Sequence, residues 1–131
     1  MEGRDEPVDL NESAIAGAYK VMQRQLKKDK LTNRALFCTT GAAALGAMRA
    51  ISEAGYAVGS DIVVCAADDD VGMCRFLIPS VTCLQDPQIQ PYIQVCLDWF
   101  ARGGEGWVGP MVVQPTQMPL FIGESTAATG S

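Results

Sequence analysis

The stretch CAADDDVGMCRFLIPSVTCLQD, residues 65–86, sets three consecutive carboxylates, Asp68, Asp69 and Asp70, directly after an apolar run. Acids so placed can hold magnesium, accept hydrogen bonds from a polyhydroxylated ligand, cap the helical turn that follows, or face water. An ionised carboxylate accepts two hydroxyl hydrogens in charge-assisted bonds, so Asp68 can read a polyol without a metal. In the capping alternative Asp68 holds the next short helix while Asp69 and Asp70 are solvated. A magnesium-dependent enzyme using Asp68–Asp70 is a further alternative. It needs a phosphate cradle, and no G-x-x-x-x-G-K-[ST] occurs. Thr39-Thr40-Gly41 at the start of a helix-forming run is a second polar group, suited to capping or to an anion. The chain has no histidine, so it cannot build a Ser/His or Cys/His pair from its own residues. The five cysteines Cys38, Cys65, Cys74, Cys83 and Cys96 form no C-x-x-C pair. That spacing argues against a disulfide framework and a zinc site, and in favour of reduced thiols buried as small apolar groups. No metal and no other cofactor is expected.

The elements that must position these residues follow from hydrophobic period and turn chemistry. Asp9 and Glu12 have capping-box spacing, and Ile15, Tyr19, Met22 and Leu26 then share one face of a helix over 10–28. ALFC, residues 35–38, is a short apolar run of the kind buried on both faces of a parallel sheet. Residues 42–54 are strong helix formers, with Leu45, Met48 and Ile51 as an apolar stripe and Gly55 as terminator. IVVCA, residues 62–66, completes a βαβ unit, so the acid run sits at the carboxyl end of its strand, where open α/β sheets bind ligands. A helical turn over 71–76, a strand over 81–85 and a helix over 87–101 follow. PMVVQP and LFIGES read as edge or connecting strands because of Pro115 and Pro119. The tail STAATGS is small and polar, which predicts disorder.

At 131 residues the chain suits one domain with its own core. No apolar stretch approaches the roughly 20 residues of a membrane span, so no membrane partner is expected. MEGRDEPVDLNES lacks the basic and apolar regions of a signal peptide, which makes a cytoplasmic location the expectation. A net charge of -5 argues against direct nucleic-acid contact by this segment. The basic cluster between Lys20 and Lys30 falls late in a helix, where cations complement the dipole.

The segment ALGAMRAISEAGYAVGSDIVVCAADD, then IPSVTCLQD, then GEST, closely resembles the C-terminal part of the LacI/GalR family of sugar-responsive transcriptional repressors, in order and spacing from Asn11 to Thr126. The resemblance implies a flavodoxin-like three-layer α/β/α fold with a mainly parallel sheet, the C-terminal subdomain of a type I periplasmic-binding-protein-like fold. Residues 11–80 would form the second subdomain and 81–86 a crossover. Residues 87–114 would belong to the first subdomain, 115–126 would be the return crossover with the final strand, and 127–131 the tail. In such regulators a sugar or related small effector binds between two subdomains, and hinge closure changes how paired DNA-binding heads sit on the operator. The family's helix-turn-helix lies N-terminal to the part matched here, so DNA contact is expected only through such a segment. By the same resemblance Asp68 stands at the first Asp of the family's GxDD and would accept from sugar hydroxyls. Thr40-Gly41 replaces a usual Asn-Asp whose Asn bonds ligand. Gln85 matches a crossover position that faces the cleft, and Glu12 falls near a place where an aromatic stacks on sugar. Leu45, Phe76 and Leu77 match positions that family homodimers bury, which leaves self-association without ligand as a further alternative.

Overall fold

The computed structural model describes residues 13–28, 34–69, 72–85, 87–104, 106–115 and 117–126. Asp9, Glu12, Asp70 and the tail from residue 127 lie outside the described residues. The elements are α1 (Ala14–Lys28), β1 (Ala35–Cys38), α2 (Gly41–Glu53), β2 (Val63–Ala66), a short 3-10 turn (Cys74–Phe76), β3 (Thr82–Leu84), α3 (Gln90–Ala101) and β4 (Leu120–Phe121). The strands form one sheet in the order β1-β2-β3-β4. β1, β2 and β3 are parallel neighbours and β4 runs antiparallel along β3.

Residue chemistry accounts for most of these boundaries. The N–H of Ala16 donates to the Ser13 hydroxyl, so the described helix begins behind Ser13 rather than at residue 10. Thr40, with extended φ −140° and ψ 156°, caps α2 by accepting from the Ala43 N–H. α2 ends at Ala54, and Gly55 follows at φ 85°, a left-handed conformation that favours glycine. The core lies between α2 and the sheet: Ala44, Ala47, Met48 and Ile51 pack against Cys38, Ile62, Val64, Ala66, Val81 and Cys83. α1 lies on α2, where the backbones come so close that a Cβ on Gly46 would stand 2.0 Å from the Ile15 carbonyl oxygen. Met22 and Leu26 extend the core from that side.

Several expectations need correction. β1 is buried on one face only: Cys38 is covered, whereas Phe37 on the opposite face is 67% exposed. β1 is a sheet edge, and no described element covers the Phe37 side, so continuous apolarity overstates its burial. PMVVQP forms no strand, and only Leu120–Phe121 of LFIGES pairs, along the outer edge of β3. Pro115 and Pro119 lack the N–H groups that a longer ladder needs. Much of the remaining sheet support comes from the GEST turn. The Ser125 hydroxyl donates to the Val64 carbonyl at 2.6 Å and accepts from the Thr82 N–H at 3.0 Å. The Gly123 N–H donates to the Thr82 hydroxyl oxygen, and Glu124 accepts from both the N–H and the hydroxyl of Ser80.

Candidate functional site

Three of the expected ligand residues follow the ends of three neighbouring parallel strands. Thr40 comes two residues after β1, Asp68 two after β2, and Gln85 directly after β3. The register pairs Cys38 with Ala66 and Ala66 with Cys83, so all three lie on one carboxyl edge. One carboxylate oxygen of Asp68 accepts from the Gly41 N–H at 3.1 Å, and the Thr40 hydroxyl accepts from Ala43 at 3.0 Å. Two otherwise unmatched N–H groups of the first turn of α2 are thus satisfied, and the positive end of the helix faces the Asp68 charge. Asp68 is half-buried and ties the turn after β1 to the end of β2. Gln85 is half-buried, its backbone N–H bonded to the Pro119 carbonyl at 2.8 Å. Glu12 lies outside the described residues.

The acid run does not behave as a unit. Asp69 is only 6% exposed, not solvated, and it is Asp69 rather than Asp68 that holds the following turn, accepting from the Cys74 N–H at 3.0 Å. The chain has left β2 by this point, so strand alternation no longer applies, and Asp69 turns inward beside Cys74 and Cys83. Cys74 and Cys83 lie beside Asp69, and the ligand atoms of all three are within 4.8 Å of one another. Burial pushes both thiols up, and the Asp69 charge adds to this, while the Arg75 guanidinium draws Cys83 down. Sequence reasoning missed this group because its residues are five and nine positions apart and match no ligand spacing. The buried Ser125 was missed too, although it was within reach as the third residue of GEST.

Of the expected interface residues, Phe76 is 80% exposed, Leu45 on α2 is half-buried, and Leu77 packs partly against the core. The Arg75 guanidinium of the same turn lies over the Phe121 ring at 5.6 Å. A shallow groove lined by Gln23, Leu26, Lys27, Ala50, Glu53 and Ala54 lies at the C-terminal end of α2, the end remote from the carboxyl edge. No helix among the described residues is long and apolar enough to cross a membrane.

Residues 2–90 match the model of the periplasmic binding protein-like domain family. The HTH-type transcriptional repressor PurR of Haemophilus influenzae (strain ATCC 51907 / DSM 11121 / KW20 / Rd) is 33% identical over 109 residues, 81% of this chain and 30% of that protein. The HTH-type transcriptional regulator AglR of Rhizobium meliloti (strain 1021) is 42% identical over 67 residues, 49% of this chain and 18% of that protein. The chain therefore spans less than a third of these curated relatives. Among solved structures, a LacI family regulator from Enterococcus faecalis V583 with bound ribose superposes with TM-score 0.71 at 24% identity, over 91% of this chain and 43% of that one. A LacI family regulator from Arthrobacter sp. FB24 in complex with lactose gives TM-score 0.66 at 17% identity, over 88% of this chain and 42% of that one. At such identities the structural likeness speaks for the fold alone, and it agrees with the parallel sheet described above. The chain belongs to the periplasmic binding protein-like domain family, in the form that serves LacI/GalR-type transcriptional regulators as an effector-binding domain.

Proposed function

We propose that this chain is the effector-reading and dimerising segment of a cytoplasmic LacI/GalR-type transcriptional repressor, and that it recognises a small polyhydroxylated molecule at the carboxyl edge. The observation that carries this is the alignment of Thr40, Asp68 and Gln85 behind β1, β2 and β3. Asp68 spends one oxygen on the Gly41 N–H, which fixes its orientation, and presents acceptor capacity to ligand hydroxyls. Thr40 uses its hydroxyl oxygen as the cap of α2, so its reach to ligand is short. Ribose and lactose in similarly folded regulators support a sugar as the effector class. In this reading residues 87–114 belong to a first subdomain that closes over the edge, with the return crossover in residues 115–126. The exposed Ile93, Leu97 and Phe100 of α3 fit surface awaiting such a partner. Operator contact falls to a helix-turn-helix elsewhere in the regulator, and Leu45, Phe76 and Leu77 supply the homodimer contact. Effector acts by binding the closed and open states with different affinity.

Calorimetric titration with a panel of pentoses, hexoses and disaccharides, on the chain and on the longer reading frame that contains it, tests this proposal. Asp68→Asn, which keeps the shape and removes the charge, is expected to weaken binding by about 1.5–3 kcal/mol, roughly 10- to 150-fold. Undiminished affinity in a folded Asp68→Asn protein, or no saturable sugar binding by either form, overturns the assignment.

A further inference from the structure

Beneath the carboxyl edge lies a group of side chains that effector binding does not use. We infer that Asp69, Cys74 and Cys83 form a buried site for one thiophilic divalent ion of the zinc and cadmium class, held by two thiolates and a carboxylate oxygen. The three come from different places, the end of the β2 loop, the 3-10 turn and β3, and converge to within 4.8 Å. Ligand atoms around a tetrahedral zinc, with bonds near 2.0–2.3 Å, stand about 3.5–3.8 Å apart. Closing the group onto an ion therefore takes a contraction of at most about 1.3 Å, within the range of small side-chain rotations.

The chemistry selects the ion. Two sulfurs and a single carboxylate suit a soft or borderline metal and leave magnesium, which needs about six oxygens, without ligands. Exposures of 0% for Cys74, 1% for Cys83 and 6% for Asp69 close the three ligands off from solvent. Binding releases both thiol protons to solvent. Two thiolates and one carboxylate then exceed the charge of the ion by one, and the Arg75 guanidinium, which draws Cys83 down, acts in the opposite direction. The neighbouring backbone is also shaped to the sulfur. A Cβ on Gly41 would come 3.0 Å from the Cys74 sulfur, so the glycine leaves room for this thiol. The carboxylate is positioned before any ion arrives, because the Cys74 N–H bonds one of its oxygens.

Cobalt(II) titration of the reduced 131-residue chain tests the site. One equivalent is expected to raise a near-ultraviolet sulfur-to-cobalt band and the visible bands of tetrahedral cobalt, both erased by zinc. Cys74→Ser and Cys83→Ser should abolish the near-ultraviolet band, Asp69→Asn should weaken cobalt affinity at least tenfold, and Cys96→Ser should change neither. Because the serine variants alter a core, proton–cadmium-113 correlation spectra of the unaltered chain supply a second readout. Cross-peaks from the Cys74 and Cys83 β-protons support the site. A folded, reduced chain that shows no sulfur-to-cobalt band overturns it, and so does cadmium coupled to Cys38, Cys65 or Cys96.

Discussion

The carboxylates and thiols of this chain owe their properties to neighbours rather than to type. Asp68 and Asp69 are adjacent, yet one secures a helix start at the sheet edge and the other is enclosed with two thiols. Cys38, 6% exposed at the end of β1, is held at a pKa of about 11 by burial and, to a lesser extent, by Cys65. An unfolded chain releases this proton nearer the ordinary value of 9.0, so between pH 9 and 11 the folded form retains a proton that the unfolded form has lost. The stability this thiol contributes is complete below the lower value and is lost as pH rises through the upper one, with a slope of at most ~1.4 kcal/mol per pH unit. Urea unfolding across that interval should show the decline, and Cys38→Ala should make it shallower. Cys74 and Cys83, raised for the same reason, leave a residual slope in that variant. Stability that stays level across the interval contradicts this account of burial.

Among the elements, the GEST turn stands out because a hydroxyl takes the place of a strand. β2 and β3 exchange only a short ladder, and Ser125 bridges them at the point where the ladder begins, between the Val64 carbonyl and the Thr82 N–H. Its backbone adds the Val64 N–H to Ser125 carbonyl bond and the Ser125 N–H to Ser80 carbonyl bond. Ser125→Ala leaves a buried donor and a buried acceptor without their partner, which is expected to cost about 2–3 kcal/mol. The midpoint of urea unfolding should fall accordingly while the circular dichroism of the folded chain is retained. A cost under about 0.5 kcal/mol would mean that water or a neighbour replaces the hydroxyl, and that the turn does not hold the sheet.

At the scale of the whole molecule, exposed apolar surface gathers in two places. Phe76 and Ile78 project from the turn after the acid run, at 80% and 95% exposure, and Phe37 lies open beside the sheet edge. Ile93, Leu97 and Phe100 form a second exposed set on α3. In sedimentation velocity, Leu45→Glu with Phe76→Glu should convert a dimer into a folded monomer if the proposed homodimer face operates. A dimer that survives that pair and dissociates with Ile93→Glu or Phe100→Glu assigns association to α3 instead.

The residues alone determined the order of helices and strands from α1 to α3, because hydrophobic period, the Thr40 cap and the Gly55 stop act within a few positions of one another. They also placed Asp68 behind a strand, and the linked motifs carried the family. That PMVVQP forms no strand, how short β4 is and the one-sided burial of β1 were not legible, since each depends on what lies beside a segment rather than within it. Only the tertiary structure decided that Asp69 turns inward and meets Cys74 and Cys83, and that Ser125 reaches Val64 across sixty-one positions. The physical reason is separation along the chain. A hydrogen bond or a ligand shell is fixed by distances of a few ångströms in space, and spacing rules see such proximity only when a single turn or strand supplies it.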